Sequence, residues 1–464
     1  MAAKNTYNKI IKYVVTAVCT QPLHFGSAVG GKGEILVHPV DNIPFIQAAS
    51  ISGTFRDYCM RRFGSQVSKE LFGLDKLDSD SNSFEFASKI RFEDGVILTE
   101  NEDEYIKMEL RPHVSIDEET GTCKNNIVQG TNQKAGNKFH MEYIGVGTKI
   151  KFVMYLYDDQ FDNYVKEIIS AINLETVQFG GKKSNGCGYM KVEKLLYQVF
   201  NMSDEGSRKL WYREDDLQDS EYQDITTTLK IEEDDLFAYK IVVKGKTENR
   251  LLVKSLAVKE HGDKAPKAVN MTNSALEYIV PGSSFKGTVK SQMSKICQYL
   301  KGQGVHTEHI IGNTFGVKSE THKNGKTGNI RFYDTVVGEK EENDKAALSC
   351  RIHIDKFTGG VINGSLFSEK NIFGSVNFRV GVLNKNEPEK SCAILIMALR
   401  DLAVGIMNVG SGYSIGKGFI DVDTITIQAS GKKKSAVINV KTSTIIDNDG
   451  IISECFASLK GKEC

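Results

Sequence analysis

The chain has 464 residues, of which 40% are hydrophobic and 25% charged, with 59 lysines and arginines against 59 acidic residues. This length predicts two or three domains that each bury their own core. The zero formal charge argues against indiscriminate binding to polyanions, and no run approaches the roughly 18 apolar residues that a membrane span needs.

Cysteine usage and the N-terminus indicate the cellular compartment. The nine cysteines are odd in number and form no C-x-x-C pair, which is typical of reduced thiols rather than of a disulfide framework. The residues after Met1 show no apolar signal-peptide core. We therefore expect a cytoplasmic protein without a membrane anchor.

The first part of the chain, 1–200, alternates strand and helix patterns. The spacing of Phe55, Cys59 and Phe63 predicts a helix, and apolar residues over 164–172 predict a second one. β-Branched and aromatic residues predict strands over 7–20, 89–98, 148–157 and 189–199.

An acidic stretch follows this first part. Between Asp204 and Asp235 there are 12 acidic and 4 basic residues, together with the only tryptophan, Trp211. This composition predicts a solvated linker over 201–236, which its negative charge would keep away from a polyanion.

The order of elements then repeats over 237–428, followed by an extension over 429–464. Four landmarks recur at offsets of about 230 to 240 residues, too long a period for a solenoid. They are Ser50–Arg56 with Ser284–Lys290, Ile90–Asp94 with Ile330–Asp334, Arg111–His113 with Arg351–His353, and Gly180–Gly188 with Gly410–Gly418. Strand, helix, strands, helix, strand is the ferredoxin-like order. We therefore predict an α+β protein with two tandem ferredoxin-like domains.

The repeated helix start has two interpretations. Proline, glycine and serine over 281–284 suit a capped first turn, while backbone amides at a helix N-terminus also bind phosphate. Repetition of the motif with basic residues nearby favours phosphate, although capping stays open. The candidate RNA-binding residues at the two helix starts are Ser50, Ser52, Arg56, Arg61, Ser283, Ser284, Lys286 and Lys290.

The glycine-rich runs do not fit a nucleotide-binding P-loop. Each follows a helix and leads into a strand, and neither carries the Lys-Ser or Lys-Thr ending. Glycines beside lysines instead let an RNA backbone approach main-chain amides, although a plain tight turn remains an alternative. The candidates here are Gly180, Gly181, Lys182, Lys183, Gly410, Ser411, Gly412 and Lys417.

These motifs resemble the RAMP superfamily of CRISPR systems. Pro281–Gly287 is similar to the family's helix-start motif almost residue by residue, and Gln47–Gly53 is a degenerate version. The resemblance is strongest to backbone subunits of type III effector complexes, fused in tandem as in subtype III-D relatives. It implies binding to a CRISPR guide RNA, a complementary target RNA and other CRISPR effector subunits. It also implies inserted thumb hairpins that wedge into the guide–target duplex, here over 121–138 and 358–370.

The resemblance further implies an aspartate, in the loop before the first helix, that cleaves target RNA. Asp263 lies nearest to that position in the second copy. In the first copy Lys32 occupies it, which leaves Glu34 or Asp41. Such a residue would promote attack of an RNA 2′-hydroxyl on the adjacent phosphate, with Mg²⁺ as the implied cofactor. The alternative is a noncatalytic scaffold that only binds the guide.

Histidines and one cysteine suggest two other chemistries. His24 suits a general base for processing a guide precursor, but it has no counterpart in the second copy, so we interpret it as a structural or RNA-contacting residue. Cys297, His306, His309 and His322 contain zinc-ligand types, but their spacing fits no standard zinc finger.

Overall fold

The structure is a computed structural model. It describes residues 8–26, 33–73, 87–99, 106–117, 123, 125–127, 134–136, 138–229, 235–247, 250–256, 267–317, 325–338, 347–430 and 434–460. The chain forms two compact units. The first contains residues 1–109, 142–183 and 187–234, and the second contains 110–141, 184–186 and 235–464.

The first half of the sequence supplies eleven labelled strands and four helices in the described residues. In chain order they are β1 (Lys9–Cys19), β2 (Phe45–Ile46), α1 (Ala48–Phe63), α2 (Ser65–Phe72), β3 (Ile90–Phe92), β4 (Gly95–Leu98), β5 (Met108–Val114), β6 (Asn125–Ile127), β7 (Lys134–Gly136), β8 (Lys138–Ile144), β9 (Lys149–Leu156), α3 (Asp162–Asn173), β10 (Met190–Asn201), α4 (Glu205–Trp211) and β11 (Gln223–Asp224).

The second half repeats this order and adds strands at its end. Its elements are β12 (Phe237–Thr247), β13 (Lys267–Ala268), β14 (Ile279–Val280), α5 (Gly282–Gly302), α6 (Ile310–Phe315), β15 (Gly316–Val317), β16 (Lys326–Thr327), β17 (Ile330–Phe332), β18 (Thr335–Val336), β19 (Ala347–Ile354), β20 (Val361–Asn371), β21 (Ser375–Leu383), α7 (Pro388–Ala403), β22 (Ile420–Ala429), β23 (Lys434–Asn439), β24 (Thr444–Ile446) and α8 (Ile451–Ala457).

Both units contain the same antiparallel sheet. In the first, β1 pairs with β9 on one side and β10 on the other, and β3 pairs with the far edge of β9. In the second, β12 lies between β21 and β22, and β17 pairs with β21. The first core strand therefore lies between the third and the fourth in both units. This confirms the prediction of tandem ferredoxin-like domains.

One face of each sheet is buried under the helices. In the first unit Ile11, Tyr13 and Val15 of β1 point into a core with Phe55 of α1 and Ile168 of α3. In the second unit a core of the same kind is built from the following residues of β12, α5 and α7: Ile241, Val243, Phe285, Val289, Met293, Leu395 and Leu399. The side chains alternate along a strand, so residues such as Lys12 and Lys240 point to the other face.

The acidic segment, which we define as residues 203–229, packs on that other face of the first sheet. Leu217 joins Ile10, Tyr155 and Phe200 in a small cluster, against which the half-buried Trp211 packs. The segment is therefore part of the first unit. This corrects the expectation of a solvated linker over 201–236, because its apolar side chains and Glu214 have partners on the sheet.

The thumb segments differ in how much of them is described. In the second copy β19 and β20 pair as an antiparallel hairpin around the turn at 355–360. A hairpin is therefore present, but it begins at Ala347, and the expected segment 358–370 forms only part of its turn and its second strand. In the first copy β6 pairs with β7, and residues 128–133 lie outside the described residues.

Among the described residues, no helix is long and apolar enough to cross a membrane.

Candidate nucleic-acid interface

A polar pocket of about 300 Å³ lies in the first unit, at the start of α1. Its volume is at the lower end for small-ligand pockets. Three separate parts of the sequence form it: the residues after β1, the first turns of α1 and the glycine-rich run after α3. The lining residues are Phe25, Gly26, Leu36, Gln47, Ser50, Gly53, Thr54, Gly180, Gly181 and Lys183. The structure thus brings four of the candidate residues, Ser50, Gly180, Gly181 and Lys183, into one site.

The glycines of this run are required by close packing. Gly180 has a φ of +70°, and a Cβ there would lie 2.5 Å from the carbonyl oxygen of His24. The backbone N–H of Gly181 donates to that same oxygen at 2.8 Å. The side-chain amide of Gln178 donates to the carbonyls of Lys183 and Cys187 and closes the loop. The tight turn expected as an alternative is therefore real, and its backbone also forms one wall of the pocket.

Lys182 lies at the outer edge of this loop. Its side chain is exposed, and its φ of +57° is unusual for a residue other than glycine. The backbone turn therefore points this cation away from the core, whereas Lys183 is half-buried and lines the pocket.

His24 packs against the glycine-rich run at Gly180 and Gly181. Its side chain is 7% exposed, and its Nδ1 lies 2.9 Å from the carbonyl oxygen of Glu142, so Nδ1 carries the donated hydrogen. Burial lowers the pKa of His24, and the charge of Lys182 lowers it further. The hydrogen bond to the Glu142 carbonyl acts in the opposite direction but is outweighed. A neutral imidazole packed against Gly181 fits the structural role expected for His24.

Both repeated helix starts are capped by an aspartate from another part of the chain. The backbone N–H of Ala48 donates to Asp94 at 2.7 Å, and that of Gly282 donates to Asp334 at 2.8 Å. These aspartates end the repeated landmark at 90–94 and 330–334. The repeat pointed to them, but sequence reasoning gave them no role because the contact spans about 50 residues of chain.

The helix start in the second unit is covered by residues 184–186, which belong to the same unit. Lys286 Nζ donates to Ser184 Oγ at 2.7 Å and to Asn185 Oδ1 at 3.3 Å. A Cβ on Gly282 would lie 2.6 Å from the carbonyl oxygen of Asn185. Protein groups therefore take the place that the sequence analysis gave to phosphate at Lys286, while Ser283, Ser284 and Lys290 are half-buried on the first turns.

Lys417 is buried, so its prediction as an RNA-binding residue is wrong. It is 4% exposed, and its Nζ donates to Glu369 and, at 2.8 Å, to Asn371 Oδ1. Glu369 also accepts from Arg351 at 2.8 Å. Because Glu369 and Asn371 belong to β20, the lysine joins the second glycine run to the base of the hairpin.

Gly410 and Ser411 of the second glycine run pack against Leu252, in the segment that follows β12. The N–H and the hydroxyl of Ser411 both donate to the carbonyl oxygen of Leu252, at 2.9 and 3.1 Å. A Cβ on Gly410 would lie 2.6 Å from the same oxygen. Gly412 has a φ of +90° and packs against the Lys417 side chain.

The other candidates in the first unit make local contacts. Arg56 donates to the carbonyl oxygen of Gly73 at 3.1 Å, and Arg61 lies over the ring of Tyr58 at 4.9 Å. Ser52 is half-buried on α1. None of these three lines the pocket.

The described residues include only some of the candidate catalytic and metal-binding residues. Asp263 and His322 lie outside them, and Glu34 and Asp41 are exposed. Asp41 accepts from the N–H of Ile43 at 2.9 Å. No described group of three or more histidine, cysteine or acidic residues is placed to hold a metal ion, so Cys297, His306 and His309 form no zinc site there. Magnesium needs only one or two carboxylates beside water or phosphate, and Asp263 lies outside the described residues, so the expected magnesium stays a prediction.

Comparison with known proteins identifies a family. The sequence model of the RAMP superfamily matches residues 16–191 and 271–421, which is more than half of the chain. A search of curated proteins gave no match. Among solved structures, the chain is similar to one from a structure titled "Cryo-EM structure of the Type III-B Cmr-beta bound to cognate target RNA". That similarity has 17% identity and a TM-score of 0.28, and it covers 41% of this chain and 61% of that chain.

Proposed function

The chain belongs to the RAMP superfamily, and on this basis we propose that it is a guide-RNA-binding backbone subunit of a type III CRISPR effector complex. The observation that carries the proposal is the pocket of the first unit. Its wall combines the first turns of α1 with the glycine run, two elements that both suit a phosphodiester backbone.

The lining of the pocket favours recognition of the RNA backbone over recognition of bases. Gly53 lines the pocket and has nothing within 4 Å of a built Cβ, so a ligand can approach the main chain closely there, whereas Gly180 and Gly181 pack against His24. Lys183 in the wall and Lys182 at the rim supply positive charge. Phe25 is the one aromatic residue of the lining, and it is 6% exposed, so base stacking contributes little. Backbone contacts fix register without reading sequence.

The two units are not equivalent in this proposal. The helix start of the second unit is occupied by Asn185 and by the Lys286 hydrogen bonds. The start of α1 also has an aspartate cap, Asp94 on the Ala48 N–H, but the first turns of α1 line an open pocket that includes Lys183. We therefore assign phosphate binding to this pocket of the first unit. The second unit contributes the hairpin of β19 and β20, whose tip residue Phe357 is 98% exposed.

A pair of matched substitutions tests the assignment. Gly53 lines the pocket, and Gly287 is its counterpart in the repeated motif; a Cβ at either position meets nothing within 4 Å. Both Gly53→Glu and Gly287→Glu therefore add the same charge to a helix without a steric cost. We expect Gly53→Glu to weaken binding of single-stranded guide RNA, measured by filter binding, about tenfold or more, and Gly287→Glu to have a much smaller effect. Equal losses would contradict the assignment.

Target cleavage is the finer part of the proposal. We propose that Asp263 promotes attack of a 2′-hydroxyl on the adjacent phosphate, with the 5′ oxygen leaving, to give a cyclic phosphate and a 5′-hydroxyl. Its support is the resemblance of the sequence around 263–266 and the nearby lysines 259 and 264. The magnesium that the resemblance implies stays a prediction, and a scaffold without catalysis is the alternative.

A further inference from the structure

The strands β1 and β12 are equivalent residue by residue, which allows the outer faces of the two sheets to be compared. Both strands bulge at the same point of their pairing with the last core strand, between Thr16 and Ala17 in β1 and between Lys244 and Gly245 in β12. Lys12 and Lys240 lie equally far before the bulge. Each faces a glutamine of the neighbouring strand, Gln198 or Gln428.

In the first unit this lysine is covered by the acidic segment. Lys12 is 5% exposed, and its Nζ donates to the carboxylate of Glu214 and, at 3.0 Å, to its carbonyl oxygen. The hydroxyl of Tyr155 donates to the same carboxylate at 3.0 Å. Burial alone would lower the pKa of Lys12, but the hydrogen bonds to Glu214 and Tyr222 outweigh it and raise the pKa. The lysine is thus charged, and a carboxylate from an acidic peptide is its partner.

In the second unit the same face carries the same kind of charge without a cover. Lys240 and Lys244 are exposed. In the described part of the chain, neither has a carboxylate within 4 Å, whereas Lys246 at the sheet's end faces Asp421 at 3.6 Å. The row of paired residues between the two lysines is less polar, with Val242, Thr426, Val437 and Ile446 side by side.

Among the described residues after β22, none packs over this face. After β22 the chain adds β23 and β24 to the edge of the sheet, and α8 then places Ile451, Ile452 and Cys455 in the core on the helix side. In the first unit, by contrast, the residues after the last core strand turn back over the outer face.

The composition of the face fits a polypeptide better than a nucleic acid. Its aromatic residues are buried, with Phe237 1% and Tyr333 5% exposed, so it offers no platform on which bases stack. Lysines on both sides of a partly apolar row match an acidic segment with apolar side chains, which is what covers the equivalent face of the first unit. We propose that the outer face of the second sheet, around Lys240, Val242 and Lys244, binds an acidic segment of a partner protein subunit.

The test uses the full chain and a fluorescently labelled peptide with the sequence of residues 203–229, which has eight acidic and three basic residues. Binding is followed by fluorescence anisotropy at low salt. Lys240→Glu/Lys244→Glu should bind the peptide about tenfold more weakly than the unmodified chain, because each change replaces an attraction with a repulsion. The control Lys295→Glu/Lys460→Glu makes an equal change of charge at two other exposed positions, Lys295 on α5 and Lys460 shortly after α8. It should leave peptide binding unchanged.

Four results would overturn the proposal. The first three are absence of peptide binding, an equal loss of peptide affinity in both double variants, and unchanged peptide binding after charge reversal at Lys240 and Lys244. The fourth is that this charge reversal weakens binding of single-stranded RNA but not of the peptide, in which case the face is a nucleic-acid surface. Circular dichroism of each variant checks that the exposed substitutions leave the fold intact. The peptide-binding result does not depend on the result of Gly53→Glu. The proposed peptide-binding face and the proposed RNA-binding pocket can therefore be disproved independently.

Discussion

The backbone N–H of Gly282 donates to the carboxylate of Asp334 at 2.8 Å, and this bond begins the longest helix of the described chain. The other carboxylate oxygen lies 2.6 Å from Arg111, and both side chains are nearly buried. Asp334 therefore joins the start of α5 to Arg111 of β5, which lies 223 residues before Asp334 in the sequence (334−111). The exposed Asp94 makes the same cap on α1 at the equivalent position.

Removing the two capping aspartates should have unequal effects. Asp94→Ala removes one exposed cap and should cost about 1 kcal/mol of the free energy of unfolding. Asp334→Ala also removes the nearly buried carboxylate that lies beside the guanidinium of Arg111 and should cost about 3–5 kcal/mol. Urea unfolding of the full chain measures both. Asp334→Asn retains an acceptor for Gly282 and removes the charge, so a cost near that of Asp334→Ala assigns the loss to the ion pair. Equal costs at Asp94 and Asp334 would contradict this account.

The repeated landmarks illustrate what the sequence predicts and what it does not. Ile90–Asp94 and Ile330–Asp334 were recognised as a duplicated segment, and the order of helices and strands followed from local periodicity. The cap itself was not predicted, because its partner is distant in sequence. Lys417 shows the same limit: a lysine in a glycine run suggested a phosphate ligand, but Glu369 of a distant strand binds it.

The acidic segment shows how composition alone misled. Twelve acids against four bases predicted a solvated linker. However, Trp211 and Leu217 provide enough apolar surface to pack on the sheet, and one carboxylate, that of Glu214, has a buried lysine as its partner. Net charge describes the average of a segment, whereas packing depends on the few side chains that point inward.

The Glu369 cluster should make stability depend on pH. Burial alone would raise the pKa of Glu369, but hydrogen bonds and charges from Lys417 and Arg351 outweigh burial and lower it below the ordinary value of 4.5. A depressed pKa in the folded state stabilises the protein above 4.5, and this contribution is lost as the pH falls through the folded pKa. We expect Glu369→Gln to cost about 3 kcal/mol at pH 7.

The difference in the free energy of unfolding between Glu369→Gln and the unmodified chain should narrow as the pH falls below about 4.5. Urea unfolding at a series of pH values measures it. Glu308→Gln is a suitable control, since Glu308 pairs with Lys301 at an exposed position where solvent screens the interaction, and it should contribute little at any pH. A constant difference for Glu369→Gln across the series would show that the carboxylate charge is not what stabilises the cluster.

Lys182 should contribute to RNA binding through charge alone. Lys182→Gly removes the cation and also suits the positive φ at this position, so the fold should be retained or slightly stabilised. We expect weaker binding to all guide sequences alike, and a plot of log K against log salt concentration whose slope is smaller by about one. Lys295→Ala, at an exposed position on α5, is the control. A loss confined to certain sequences would contradict backbone recognition at this loop.

The proposed cleavage of target RNA is tested at Asp263. Asp263→Asn keeps the size of the side chain and removes the charge of the carboxylate. We expect guide and target binding to be unchanged and the cut opposite the second copy to disappear, measured by gel mapping of end-labelled target in the assembled complex with magnesium. Glu34→Gln and Asp41→Asn test the first copy in the same assay. An unchanged ladder in Asp263→Asn would move the chemistry to another residue, and no ladder in the unmodified complex would favour the noncatalytic scaffold.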